Sequence, residues 1–129
     1  MIGIGDSPGK GRGVFARRRI SSGETIEEAP VIVVPGSQLE WIDKTLLGDY
    51  YFHWGENEED AAFLLGLCAL CNHSYSPNAR FFRKFDAGSI QFVALRGIEA
   101  GEEVTVNYNE DPGNPAAVWF DVHSFRSEE

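Results

Sequence analysis

From Cys71 to Asn78 the chain reads Cys-Asn-His-Ser-Tyr-Ser-Pro-Asn, which puts a thiol, an imidazole, two carboxamides and three hydroxyls in one short stretch between two strand-like apolar runs. A Cys71–His73 pair has the makings of a nucleophile and its base. Residues two apart on an extended strand, however, stand about 6–7 Å apart, too far for a direct hydrogen bond. Cys68 and Cys71 have C-x-x-C spacing. A redox role wants a strand–helix context that is absent around them. A zinc site would enlist His73 and His53 but lacks a second cysteine pair, so buried free thiols and no metal are expected. Asn72-His73-Ser74 is a glycosylation acceptor only in a secreted chain, and the first residues show no charged-then-apolar signal pattern. Gly9-Lys10-Gly11-Arg12-Gly13 lacks the Lys-Ser/Thr pair of a phosphate loop and precedes no helical pattern, so it reads as a glycine-rich turn.

In combination these segments say more. The order GKGRGVFA (9–16), GDYYF (48–52), LCNHSYSPNA (70–79), GEEVTVNY (101–108) resembles the SET-domain family of protein-lysine methyltransferases. Its signatures are G-x-G-x-x-F-A, which GRGVFA (11–16) approaches with one residue fewer, and N-H-S-x-x-P-N and G-E-E-[LIV]-T-x-x-Y, which 72–78 and 101–108 match in full. The resemblance runs from Lys10 to Tyr108. It implies one domain (1–129) with an N-terminal part at 1–36, a variable insert at 37–60, a C-terminal part at 61–109 and a tail at 110–129 without a zinc cluster. It implies a mainly β fold, the β-clip of several short sheets, with one or two short helices and a C-terminal strand threaded pseudoknot-like near the N-H-S loop. The implied cofactor is S-adenosyl-L-methionine and the implied reaction is methyl transfer to a lysine amine. A catalytically silent module that binds a lysine-rich peptide is the alternative.

The resemblance also assigns residues. Tyr108 matches the tyrosine whose hydroxyl sits beside the transferring methyl, and Tyr50 an aromatic lining the lysine channel or the cofactor pocket, with Tyr51 its rival by one position. Asn72 would offer its side-chain carbonyl to the cofactor ammonium, and the His73 backbone would meet the adenine edge. Arg12 and Gly13 would bring main-chain groups to the cofactor's amino-acid end, while Phe15 is expected in the core. No cysteine follows Cys71, so the task of a terminal zinc cluster would pass to Trp119 or Phe120, stacking on adenine or closing the channel, unless these only anchor the tail. Val106, two before Tyr108, leaves the number of methyls added open. Asn107 stands where an acidic residue is often found.

The chemistry asks for such an inventory. An in-line methyl transfer needs aligned reactants, an effect that supplies about 7–11 kcal/mol. It also needs a neutral amine, and a lysine is neutral about once in 2,500 at pH 7, a cost of roughly 4.6 kcal/mol. Apolar walls lower that cost.

The elements that must position these groups are mostly strands. Ile2 and Ile4 alternate ahead of the glycine loop, followed by GVFARRRI (13–20), a turn at SSGE (21–24) and TIEEAPVIVVP (25–35). Ser37 is placed to cap a short helix within 37–48, and DYYFHW (49–54) reads as a strand. DAAFLLGLCAL (60–70), with Asp60 a possible cap, fits helix or buried strand equally. ARFFRKF (79–85) and SIQFVALRGI (89–98) flank a hairpin loop, and EVTVNY (103–108) is the last strand. ISSGETI (20–26) and IEAGEEV (98–104) echo each other, with Gly23 and Gly101 suited to positive φ in two similar hairpin turns. The net charge of −9 excludes binding through phosphate neutralisation and suits a lysine-bearing basic protein or peptide. No apolar run approaches the ~20 residues of a membrane span. An intracellular setting is the resulting expectation, with a homodimer possible.

Overall fold

The computed structural model describes residues 1–116. Among these, strands β1 (Ile2–Ser7), β2 (Gly11–Ala16), β9 (Glu103–Val106) and β6 (Asn72–His73) form one sheet in the order β1-β2-β9-β6. Strands β4 (Phe52–Trp54), β5 (Asp60–Leu64), β3 (Thr25–Val34), β8 (Ser89–Ala94) and β7 (Ala79–Lys84) form a second, in the order β4-β5-β3-β8-β7. One short helix, α1 (Leu39–Ile42), lies in the insert. The expected mainly β fold of several short sheets is the one observed.

Alternation sets the faces. In β8, Ile90, Phe92 and Ala94 are buried and Gln91 and Val93 less so; in β9, Val104 and Val106 are buried and alternate with Glu103 and Thr105. Such period-two burial is what one core-facing side of a sheet requires. The second sheet also curls until its two edge strands meet. Phe52 of β4 packs edge-on against Phe81 of β7 (5.1 Å between centroids), Trp54 against Phe85 (4.7 Å), and Arg83 Nη1 donates to the His53 carbonyl (2.7 Å). Side chains thus cover edges that a ladder leaves open.

β9 pairs in parallel with β6, Asn72 opposite Thr105 and His73 opposite Val106. The adjacency that a pseudoknot-like threading requires is therefore present. The two echoed segments prove to be partners: Ile20 and Ile98 exchange both backbone hydrogen bonds at 2.8 Å, and Gly23 and Gly101 take φ of 83° and 88°. They are not hairpins. One joins β2 to β3, the other β8 to β9, and each crossover braces the other.

The local expectations are adjusted in three places. The helix in 37–48 shrinks to α1, because Ser37 is used in a 3₁₀ turn (Gly36–Gln38) and makes no cap, while Thr45 accepts from Leu47 N (3.2 Å) and starts another 3₁₀ turn (Leu46–Asp49). That turn leaves only Phe52–Trp54 of 49–54 in a strand. The ambiguous 60–70 run splits into β5 and a 3₁₀ turn (Leu67–Leu70) around Leu65 and Gly66. Asp60 caps no helix and instead accepts from Gly36 N (2.8 Å). Phe15 is not core. It alternates with buried Val14 and Ala16, is half-buried, and pairs with Gly3 while its ring lies over Gly5, where an added Cβ would touch it.

Phe92 is fully buried and touches the Phe52 and Phe81 rings, whereas Trp41 on α1 is 60% exposed. Phe92→Ala is expected to lower the unfolding free energy by about 3–5 kcal/mol. Trp41→Ala should change it by less than about 0.5 kcal/mol. Urea unfolding midpoints of the two variants check this.

Candidate active site

The β1–β2 turn begins the site. Gly9 and Gly11, at φ of 79° and 80°, reverse the chain so that Lys10 and Arg12 reach back over the N-H-S segment. Lys10 Nζ donates to the His73 carbonyl (3.1 Å), and the Arg12 carbonyl accepts from Asn72 Nδ2 (3.1 Å). Asn72 Nδ2 also donates to Glu103 Oε2 (2.7 Å), while Ser7 Oγ donates to Glu103 Oε1 (2.8 Å). One carboxylate therefore ties β1, β6 and β9 together. Gly13 permits this: a Cβ there would collide with the Glu103 carboxylate and come within 2.9 Å of Asn72 Nδ2.

Two further residues of the motif grip β9 and the segment beyond it. Buried Asn78 donates from Nδ2 to the Glu103 carbonyl (2.7 Å) and accepts at Oδ1 from Thr105 N (2.9 Å), as a neighbouring strand would. The buried His73 imidazole accepts at Nδ1 from Tyr108 N (3.0 Å), which requires an unprotonated Nδ1. His73 packs edge-on against Tyr75 (4.3 Å between centroids) and lies 5.1 Å from the Tyr108 ring.

Tyr108 is 41% exposed as a residue, yet its hydroxyl turns inward and donates to the Cys71 carbonyl (2.8 Å). Burial of the phenol, with Cys71, Tyr50 and Glu103 nearby, pushes its pKa well above the ordinary tyrosine range. The group is a neutral hydroxyl whose proton is committed to Cys71. Cys68 and Cys71 are both buried free thiols, and their mutual hydrogen bond together with burial keeps the Cys68 thiol protonated.

Tyr50 is half-buried and, with Arg12, Phe63, Leu64, Ala69 and Leu70, lines a cavity of about 270 Å³ roofed by the exposed Leu46 and Leu47. Its rival Tyr51 points elsewhere, donating to Asp43 Oδ1 (2.9 Å) and packing against His53 and Phe63. Asn107 is buried and ties a loop: Oδ1 accepts from Asn109 N (2.9 Å) and Nδ2 donates to the Asn114 carbonyl (2.7 Å). Trp119 and Phe120 lie outside the described residues. The Ala116 carbonyl accepts from Tyr75 Oη (3.2 Å) and Asn109 Nδ2 (2.8 Å), so the described chain ends beside Tyr75.

The structure thus brings Arg12, Gly13, Asn72, His73 and Tyr108 into one connected network, with Tyr50 lining the same cavity as Arg12. Sequence reasoning missed Glu103, Ser7, Asn78 and the His73 imidazole as its links. A signal for Glu103 did exist, since its alternation with Val104 puts it on the face opposite the core.

A two-residue parallel strand thus holds the segment leading to Tyr108 close to Tyr50 and its cavity, and the family follows from comparison with known proteins. Residues 11–109 match the SET domain. The chain is 31% identical over 119 residues to a histone-lysine N-methyltransferase of Schizosaccharomyces pombe specific for H3 lysine-37, covering 92% of this chain and 76% of that protein. Further curated relatives are much longer, and the chain spans only 12–16% of their length. A Plasmodium falciparum crystal structure titled as a candidate histone methyltransferase aligns at TM-score 0.61 and 26% identity, over 84% of this chain and 96% of that one. A Chaetomium thermophilum Polycomb Repressive Complex 2 chain bound to S-adenosylmethionine shares the fold at TM-score 0.69 and 22% identity, over 97% of this chain and 17% of its own. The chain belongs to the SET domain family of protein-lysine methyltransferases.

The raised Tyr108 pKa has a sign that can be measured. The folded protein keeps this proton after an unfolded tyrosine, with a pKa of about 10, has released it. Its contribution to stability is therefore full below about pH 10 and lost as pH rises beyond it. Ultraviolet phenolate titration should show Tyr108 among the last of the four tyrosines to ionise, and Tyr108→Phe should remove that late step.

Proposed function

We propose that this chain transfers methyl groups from S-adenosyl-L-methionine to the side-chain amine of lysine in a basic, histone-like protein. The observation that carries this reading is Tyr108, its hydroxyl turned inward and its backbone held by His73, near enough to Tyr50, a wall of the cavity, for that phenol to act on it. The matched relative from Schizosaccharomyces pombe is named for the same reaction on a histone.

The residues present fit the cofactor. Asn72 Nδ2 is consumed by Arg12 and Glu103, and Oδ1 has no hydrogen-bond partner among the described residues, so it is the end available to a cofactor ammonium. Arg12 reaches both that network and the cavity. The His73 backbone would meet the adenine edge in exchange for Lys10 Nζ, and Trp119 or Phe120 would cover it. When bound, the cofactor supplies an electrophilic methyl on a sulfonium.

The chain's own contribution is positioning and desolvation. The Tyr108 O–H donates to the Cys71 carbonyl, so toward a reactant its oxygen acts as an acceptor. That oxygen can accept weak C–H···O contacts from the methyl and an N–H from the amine. The phenol stays neutral, and because a neutral hydroxyl oxygen is too weak a base to take the ammonium proton, that proton leaves to water before transfer. The apolar walls around Tyr50 favour the neutral amine. The net charge of −9 draws a lysine-rich substrate. An intracellular setting and a homodimer that completes the channel belong to the same proposal, and light scattering checks the dimer.

Calorimetric titration with S-adenosyl-L-methionine followed by methyl transfer to a mixture of lysine peptides tests the reading. Tyr108→Phe is expected to lower turnover by roughly 10²-fold, the scale of lost alignment, while leaving cofactor affinity nearly unchanged. Asn72→Ala should weaken both. Absence of cofactor binding at high micromolar concentration overturns the enzyme, and binding of peptide without turnover would leave a silent binding module.

A further inference from the structure

Among the described residues, two that are not glycine have positive φ, Glu58 at 57° and Glu110 at 73°. This backbone region is disfavoured for any residue with a Cβ, and its use points to an outside restraint. Both residues pair with the same side chain. Arg83 Nε and Nη2 donate to the two oxygens of Glu110 at 3.0 Å each, and Nη1 pairs with Glu58 Oε1 at 3.1 Å. Nη1 also donates to the His53 carbonyl (2.7 Å).

The placement of these contacts along the chain gives them meaning. Glu110 comes two residues after Tyr108, and His53 three after Tyr50. The two tyrosines sit on segments far apart in sequence, and one planar guanidinium holds a point next to each. The arms are unequal. Glu110 is met by a two-pronged, parallel pair of hydrogen bonds and its side chain is 32% exposed, whereas Glu58 makes one contact and is 55% exposed. A forked, shielded pair is strong and an exposed single contact weak, so the Glu110 and His53 arms dominate. The Arg83 side chain is 15% exposed and its guanidinium lies 5.4 Å from the Phe85 ring, which limits the positions it can take.

We propose that Arg83 is a positioning residue for methyl transfer, setting the separation of Tyr50 and Tyr108 by gripping His53 and Glu110 at once. The role rests on the function proposed above for the two tyrosines, and the geometry of the clamp does not. Asn107 tethers the same loop from the other side, so loss of Arg83 loosens Tyr108 without releasing it. Lysine cannot replace the clamp, because a point charge lacks the fork that takes both Glu110 oxygens and the His53 carbonyl in one plane.

The test uses the full chain labelled with 3-fluorotyrosine, each fluorine resonance assigned by the matching Tyr→Phe variant. In Arg83→Gln, Arg83→Lys and Glu110→Gln the Tyr108 resonance is expected to shift or broaden, while Glu58→Gln leaves it in place. In the methyl-transfer assay kcat should fall roughly ten- to hundredfold for the first three, with KM for the cofactor within about twofold, the split that mispositioning produces. An unchanged Tyr108 resonance in folded Arg83→Gln, or full recovery in Arg83→Lys, overturns the proposal. Should Arg83→Gln fail to fold, Glu110→Gln removes one arm only and decides the matter in the same way. Loss of turnover in the wild-type chain would overturn the enzyme reading alone, since the fluorine resonances report the clamp without it.

Discussion

The parallel pairing of Asn72 and His73 with Thr105 and Val106 is the constraint on which the site depends. A two-residue parallel ladder is weak by itself, because parallel pairs are slightly less stable per residue and short strands make few bonds. This one is reinforced by side chains that imitate backbone. Asn78 supplies a donor and an acceptor to β9 as an extra strand would, Asn72 and Ser7 hold the Glu103 carboxylate, and His73 Nδ1 takes the Tyr108 N–H where the ladder ends. Each bond contributes about 0.5–1.5 kcal/mol net, but an unpaired buried partner would cost more than that. The network is therefore held as a set.

This arrangement explains why polar residues crowd between two apolar runs. The run before them becomes β5 and a 3₁₀ turn, and the run after them becomes β7, both packed on the core. Between them the chain must cross from the second sheet to the first and return. It does so with buried groups that satisfy one another, as burial demands of polar atoms. Cys71 and His73 look like a nucleophile and its base, but the part of Cys71 that matters is its carbonyl and the part of His73 is a lone pair.

The phenol of Tyr108 joins scaffold to chemistry. Its proton is spent on Cys71 and its ring leans toward His73, so the geometry that fixes the hydroxyl also fixes its protonation. In the methyl transfer proposed above, a residue so constrained would orient reactants without exchanging protons with them.

Local pattern and motif were enough for the strand-rich fold, the glycine turns and the family, and they singled out Arg12, Gly13, Asn72 and Tyr108, which the fold brings into one network. Those features depend on neighbours within a few positions or on motifs that survive as strings. Local pattern misjudged Phe15, whose ring covers Gly5 outside the core, and Asp60, which accepts from Gly36 N just after β3 instead of starting a helix at 60. It left Tyr50 and Tyr51 equivalent until one lined the cavity and the other bonded to Asp43. It was silent on Arg83, an ordinary charge in an ordinary strand until the curl of the sheet set His53, Glu58 and Glu110 around it. The deciding contacts join residues such as Ser7 with Glu103, Arg12 with Asn72, and Cys71 with Tyr108. By itself the sequence determined which groups are present and, for most strands, which face they occupy, because alternation and turn chemistry are local. Only the tertiary structure decided which of those groups meet, because that depends on how two sheets are closed over one core.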